Sequence, residues 1–125
     1  MARILPRPTD SELAILRVLW TKGPATVRQV HEALEGRDTG YTTTLKIMQI
    51  MAEKGLVTRD ESERTHVYST KLTQDQTQRQ LVSDLMDRAF GGSATALVMQ
   101  ALSAHPATPE ELREIRTLIE AHARK

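Results

Sequence analysis

The sequence predicts a mainly α-helical chain interrupted by one small β-hairpin, and three observations lead there. The chain holds one Trp, two Tyr and one Phe, so its core must be built from Leu, Ile, Val, Met and Ala. That composition favours helices over a sandwich of strands, which enrich in aromatic and β-branched residues. Four capping boxes, Thr9/Glu12, Thr26/Gln29, Thr73/Gln76 and Thr108/Glu111, stand ahead of apolar residues at helical spacing. Two adjacent short runs, "LVTRD" and "THVYST", are instead bounded by polar residues in the manner of paired strands.

The elements follow in order. In "PTDSELAILRVLW", Thr9 caps the first helix, Leu13, Leu16 and Trp20 recur on one face, and Ile15 and Leu19 widen it. Gly23 and Pro24 stop it. In "ATVRQVHEAL", Val27, Val30 and Leu34 form a narrow apolar stripe, with Arg28, His31, Glu32 and Glu35 turned away. "EGRDTG" reads as a loop. "YTTTLKIMQIMAEKGL" is the third helix, closed by Gly55. The hairpin follows, with "ESER" as its turn; lacking Gly or Asn, that turn is expected to be generous in length. "LTQDQTQRQLVSDLMDRAFGG" is a fourth helix, with Leu81, Leu85 and Phe90 beside Val82, Met86 and Ala89. "SATALVMQALSA" is a shorter fifth helix, ended by Pro106. The sixth is "TPEELREIRTLIEAHARK", with Thr108 as cap, Pro109 at the first helical position and a seam of Leu112, Ile115, Leu118 and Ile119.

At 125 residues the chain fits one small domain or a domain with an appendage, and the break falls near Lys71. Division at that point leaves two small parts, for which oligomerisation is a usual remedy. The formal net charge of +1 makes no case for a polyanionic partner, so any such role needs positive charge arranged locally. The chain has no Cys, which excludes disulfides, thiolate metal sites and cysteine nucleophiles. No apolar run approaches the roughly 18 residues of a membrane span, and "MARILPRPTDSE" lacks the apolar core of a signal peptide. A cytoplasmic location is therefore the expectation.

Three helices and then a hairpin is the order of a winged helix-turn-helix, in which the third helix lies in a DNA major groove. Thr44, Ile47, Met48 and Met51 make its inward stripe. Thr43, Lys46, Gln49 and Ile50 then face outward, with Thr42 at the N-terminus and Leu45 beside them. Threonine hydroxyls and helix N-terminal amides suit phosphate oxygens. Gln49 suits an adenine edge, Lys46 guanine or phosphate, and Leu45 and Ile50 thymine methyl groups. Arg64, near the wing tip, is placed to reach the minor groove or a phosphate, although "DESER" around it is acidic. Tyr68 is expected to pack behind the wing.

"LPRPTDSELAILRVLW", "ATVRQVHEAL", "YTTTLKIMQIMAEKGLV", "THVY" and "FGGSATALV" together resemble the penicillinase-repressor family of bacterial regulators (BlaI/MecI type) over almost the whole chain. The resemblance implies a homodimeric repressor of palindromic operators. Residues 1–71 would be the winged-helix DNA-binding domain and 72–125 the helical dimerisation domain. Leu81, Leu85, Met86, Leu97, Leu102, Leu112, Ile115, Leu118 and Ile119 would form the dimer core. It also implies inactivation by proteolysis after a membrane sensor protease is triggered. Aligning "GGSATALVMQAL" places the expected bond at Gln100–Ala101, where the family typically has Asn and Phe. Two positions depart on the third helix: Lys46 stands where the family has a second Thr, and Ile50 where it has an Arg. An operator other than the family's common one follows as an expectation.

No enzyme is expected. The sequence has no Gly-rich phosphate loop and no paired His at metal spacing, so neither cofactor nor metal is assigned. His31, His66, His105 and His122 are scattered and read as surface or capping residues. The competing reading is a winged helix used for protein contact, an interaction module or adaptor in which Leu45 and Ile50 serve as the docking surface.

Overall fold

The computed structural model describes residues 7–34 and 40–124. The predicted order is observed: α1 (Asp10–Lys22), α2 (Val27–Ala33), α3 (Tyr41–Lys54), β1 (Val57–Asp60), β2 (Val67–Thr70), α4 (Gln74–Ala89), α5 (Ala94–Ala104) and α6 (Pro109–Ala123). All four capping boxes close, each with the threonine hydroxyl accepting one amide and the Glu or Gln side chain accepting the cap's own. The readings of "EGRDTG" and of Glu35 lie outside the described residues, apart from Gly40.

Two compact units are present, Met1–Leu81 and Val82–Lys125. The division falls inside α4, beyond the break read near Lys71. The physical reason is that the start of α4 is tied to the first unit. Thr77 is buried, and the Trp20 indole N–H donates to the Leu72 carbonyl at 3.3 Å.

The first unit is built on α1, α2, α3 and the hairpin. Its core joins Ile15, Leu16, Leu19, Val27, Val30, Met48, Met51, Leu56 and Val57. The buried stripe of α1 is centred on Glu12, Ile15, Leu16 and Leu19, while Leu13 and Trp20 are only partly covered. This rotates the predicted face by a fraction of a turn and takes a carboxylate with it. Glu12 is 4% exposed, and its Oε1 accepts from the Thr9 amide at 2.9 Å and from Lys54 Nζ at 2.7 Å. The start of α1 is thereby clamped to the end of α3.

Gly55 closes α3 in the left-handed region at φ 85, which lets the Leu56 amide turn back to the Met51 carbonyl at 2.9 Å and sends Leu56 into the core. β1 and β2 pair antiparallel, with Val57 opposite Thr70 and Asp60 opposite Val67. Residues 61–66 make the long turn the sequence implied. A feature no local pattern announces is a third lane beside the hairpin. Ala25 and Tyr68 exchange two backbone hydrogen bonds, at 3.0 and 2.8 Å, so β2 lies between β1 and the segment that follows α1. Tyr68 is buried by this arrangement, as expected for a residue behind the wing.

In the second unit, Ser93 caps α5 by accepting the Ala96 amide, and Gly92 donates to the Met86 carbonyl at the end of α4. Neither α5 nor α6 contains a buried residue. Met86, Leu97, Leu102 and Ile115 are half-buried, as is Leu81 at the end of the first unit, whereas Val82, Leu85, Val98, Met99, Leu112, Leu118 and Ile119 are exposed.

Candidate nucleic-acid interface

α3 carries the candidate site because its two faces are sharply unlike. Thr44, Met48 and Met51 are essentially inaccessible and Ile47 is half-buried, which is the predicted inward stripe. Thr42, Thr43, Lys46, Gln49 and Ile50 are exposed, Ile50 at 39%. Leu45 departs from the expected outward set. It is half-buried and packs against the core, because its position on the helix turns it toward α2 and the wing. Its apolar surface is therefore partly used up by folding.

The N-terminus of α3 is open. Its cap is Gly40, which supplies no side-chain acceptor. Thr43 and Thr44 amides bond to the Gly40 carbonyl, so the first amides of the helix, at Tyr41 and Thr42, remain without an intrahelical acceptor. Thr42 and Thr43 are exposed first-turn residues here and not caps.

Beside α3 lies a cleft of about 560 Å³. Thr26, Arg28, Tyr41, Leu45 and Gln49 line its helical side; Arg59, Arg64, Thr65, His66 and Tyr68 line its wing side. Three arginines and a histidine thus converge on one hollow of a chain whose net charge is only +1. Of these, the wing-tip Arg64 was named by the sequence as a site residue. Arg28, Tyr41, Arg59 and His66 were not. Their separation along the chain gave no shared motif, and only the hairpin's return brings them together. Arg59 shows how its charge is managed. Its Nε donates to Glu61 Oε2 at 2.8 Å, and the Tyr68 hydroxyl and the Glu61 carboxylate hold the guanidinium above its ordinary pKa. At the turn, the Ser62 amide donates to Asp60 Oδ1 at 2.9 Å and holds that carboxyl below its ordinary pKa.

His31 is not the outward-facing surface residue that the stripe of α2 implied. Its Nδ1 lies 2.9 Å from Thr44 Oγ1, bridging α2 to α3. Its ring meets Tyr41 edge-on, centroids 5.8 Å apart at 82°. The Arg28 guanidinium sits 5.0 Å from the centre of the Tyr41 ring. His66 lines the cleft, His105 caps α5, and His122 Nδ1 lies 2.9 Å from the Leu118 carbonyl. Among the described residues no group of three His, Asp or Glu is arranged to hold a metal ion. Gln100 and Ala101 are exposed within α5. No helix of the described residues is long and apolar enough to cross a membrane.

A three-helix unit with an outward third helix, a paired hairpin and a cationic cleft between them defines a winged helix-turn-helix protein. The sequence model of the penicillinase repressor family matches residues 8–121, and the chain belongs to that family. A transcriptional regulator BlaI from Mycobacterium tuberculosis is 39% identical over 98 residues, covering 75% of this chain and 71% of the relative. A penicillinase repressor from Bacillus licheniformis is 21% identical over 119 residues, covering 94% and 93%. The crystal structure of the YusO protein from Bacillus subtilis shares the fold, with a TM-score of 0.51 at 19% identity, covering 94% of this chain and 75% of that one. The family is one of transcriptional repressors and not of enzymes.

Proposed function

We propose that the protein is a dimeric transcriptional repressor that binds a palindromic operator. The observation that carries this is the face of α3: Thr42, Thr43, Lys46, Gln49 and Ile50 stand exposed on a helix whose other side is locked into the core, next to a cleft lined by Arg28, Arg59 and Arg64. Such a helix enters a major groove, where Gln49 reads adenine and Lys46 guanine or phosphate, while Ile50 meets a thymine methyl group. Leu45 supports the helix more than it reads bases, since the core holds part of its side chain. Arg64 contacts the backbone or the minor groove beside the wing.

Dimerisation is assigned to the second unit, residues 82–125, together with Leu81. Its helices bury no residue of their own and leave Leu112, Leu118 and Ile119 of α6 and Val98 and Met99 of α5 in water. An apolar surface of that extent calls for a partner, and a second copy would join two half-sites. Proteolytic control, by a membrane sensor protease or its effector, would act at Gln100–Ala101. That bond lies within α5, so the helix must open before a protease can cut it.

The test is a mobility shift of the full chain on its own promoter region at several salt concentrations. A sequence-dependent shift that weakens with salt supports the repressor, because phosphate neutralisation releases counterions. Absence of any such shift would leave the adaptor reading. Sedimentation of an L118E/I119E variant tests the dimer: the wild type is expected as a dimer and the variant as a monomer, and a monomeric wild type contradicts it.

A further inference from the structure

We propose that Arg28 and Tyr41 form a built clamp for one phosphate of the nucleic-acid backbone, on the α2 side of the groove that α3 enters. The proposal rests on the operator-binding reading above and adds residues outside the α3 outer face and the wing tip.

Three features of this pair carry it. First, the Arg28 guanidinium lies 5.0 Å from the centre of the Tyr41 ring. The ring holds the cation electrostatically, and its N–H donors have no acceptor among the described residues, so they remain available to a ligand. Second, Arg28 is exposed and has no carboxylate partner among the described residues, whereas Arg59 across the cleft is tied to Glu61. Third, the tyrosine is held by a second ring. His31 meets it edge-on, and His31 is itself bonded to the buried Thr44 hydroxyl. A donor held this way loses little conformational freedom on binding.

The place of the clamp separates phosphate from base. Tyr41, Leu45 and Met48 lie at i, i+4 and i+7 on α3, and they run from exposed through half-buried to inaccessible. Tyr41 is therefore the open end of the stripe that turns inward, not a member of the base-facing set Thr42, Lys46 and Gln49. Arg28 comes from α2, the helix that precedes the reading helix. Helices in that position meet the sugar-phosphate backbone at the groove edge. A doubly donating Arg with a phenolic hydroxyl beside it matches the tetrahedral oxygens of a phosphodiester.

The experiment uses the full chain. Duplexes are enriched from a random library by the wild type, and the enriched and an unrelated duplex are then titrated at increasing KCl with the wild type, R28Q, R28K and Y41F. R28Q is expected to weaken binding about tenfold on both duplexes and to lower the salt slope by about one. R28K should keep the wild-type slope with weaker binding, since a lysine supplies the charge but not the planar fork. Y41F should weaken both duplexes equally, by a few-fold, at unchanged slope. Thermal unfolding at the wild-type temperature certifies the fold of each exposed variant. Wild-type affinity and slope in R28Q overturn the clamp, as does a change in the enriched sequence with R28Q or Y41F, which would mean base contact. A wild type that enriches nothing and shows no salt-dependent binding overturns the operator reading and the clamp with it.

Discussion

Replacing Glu12 by alanine is expected to destabilise the first unit by about 3 kcal/mol, a large loss for a residue that looks from its spacing like an ordinary helix cap. Two contributions make up that figure. The reciprocal half of the capping box, the Thr9 amide to Glu12 Oε1 at 2.9 Å, is worth about 1 kcal/mol. The charge-assisted bond from Lys54 Nζ at 2.7 Å is worth about 2 kcal/mol. Lys54 is one-third exposed, 33% against 5% for the Glu12 side chain, so its ammonium regains water when the partner is lost. For that reason E12Q, which keeps the acceptor oxygen and removes only the charge, should cost about 1–2 kcal/mol. K54M strands a buried carboxylate on one amide and should cost about 2–3 kcal/mol, short of the figure for a fully enclosed pair. In the double variant the losses should fall short of their sum by about 1–2 kcal/mol. Urea titration followed by fluorescence of Trp20, the single tryptophan, gives the measurement. With a slope of about 1–2 kcal/mol per molar, E12A should lower the midpoint by about 1.5–3 M. Shifts below about 0.3 M for both E12A and K54M, or strictly additive losses, would refute the clamp between α1 and α3.

Gly55→Ala forces a Cβ into the left-handed region at φ 85, with no close neighbour to clash, and should cost about 1–2 kcal/mol from backbone strain alone in the same urea titration. Glu61→Gln releases Arg59 from its ion pair; tighter operator binding with a salt slope steeper by about one is expected in mobility shifts. The Asp60 carboxyl should titrate below its ordinary 3.8 by NMR, held there by the Ser62 amide. Because its folded pKa is depressed, its stabilisation of the turn is complete above the unfolded value and is lost as pH falls through the lower folded one, and Asp60→Asn should abolish that acid-range change.

Much of the fold was legible because the signals that set it are local. Each capping box spans four consecutive residues, and each is closed as read. Gly55 and Pro109 act through their own backbone angles. The inward stripe of α3 followed from period alone, and Thr44, Met48 and Met51 lie where that period puts them. What periodicity blurred was a residue on a stripe's border. Leu45 sits on such a border, and its half-burial depends on how closely α2 and the wing approach.

The sequence by itself determined the helices, the hairpin and the outward row of Thr42, Lys46, Gln49 and Ile50, since hydrogen bonds within a few residues and a fixed helical repeat are enough for these. Tertiary structure alone decided the cationic cleft and the joints that shape it. Ala25 meets Tyr68, Glu12 meets Lys54, and His31 meets Thr44 and Tyr41. Most of these partners are many residues apart. Their pairing is selected by the packing of three helices and a hairpin around one core, and no window of sequence contains that choice.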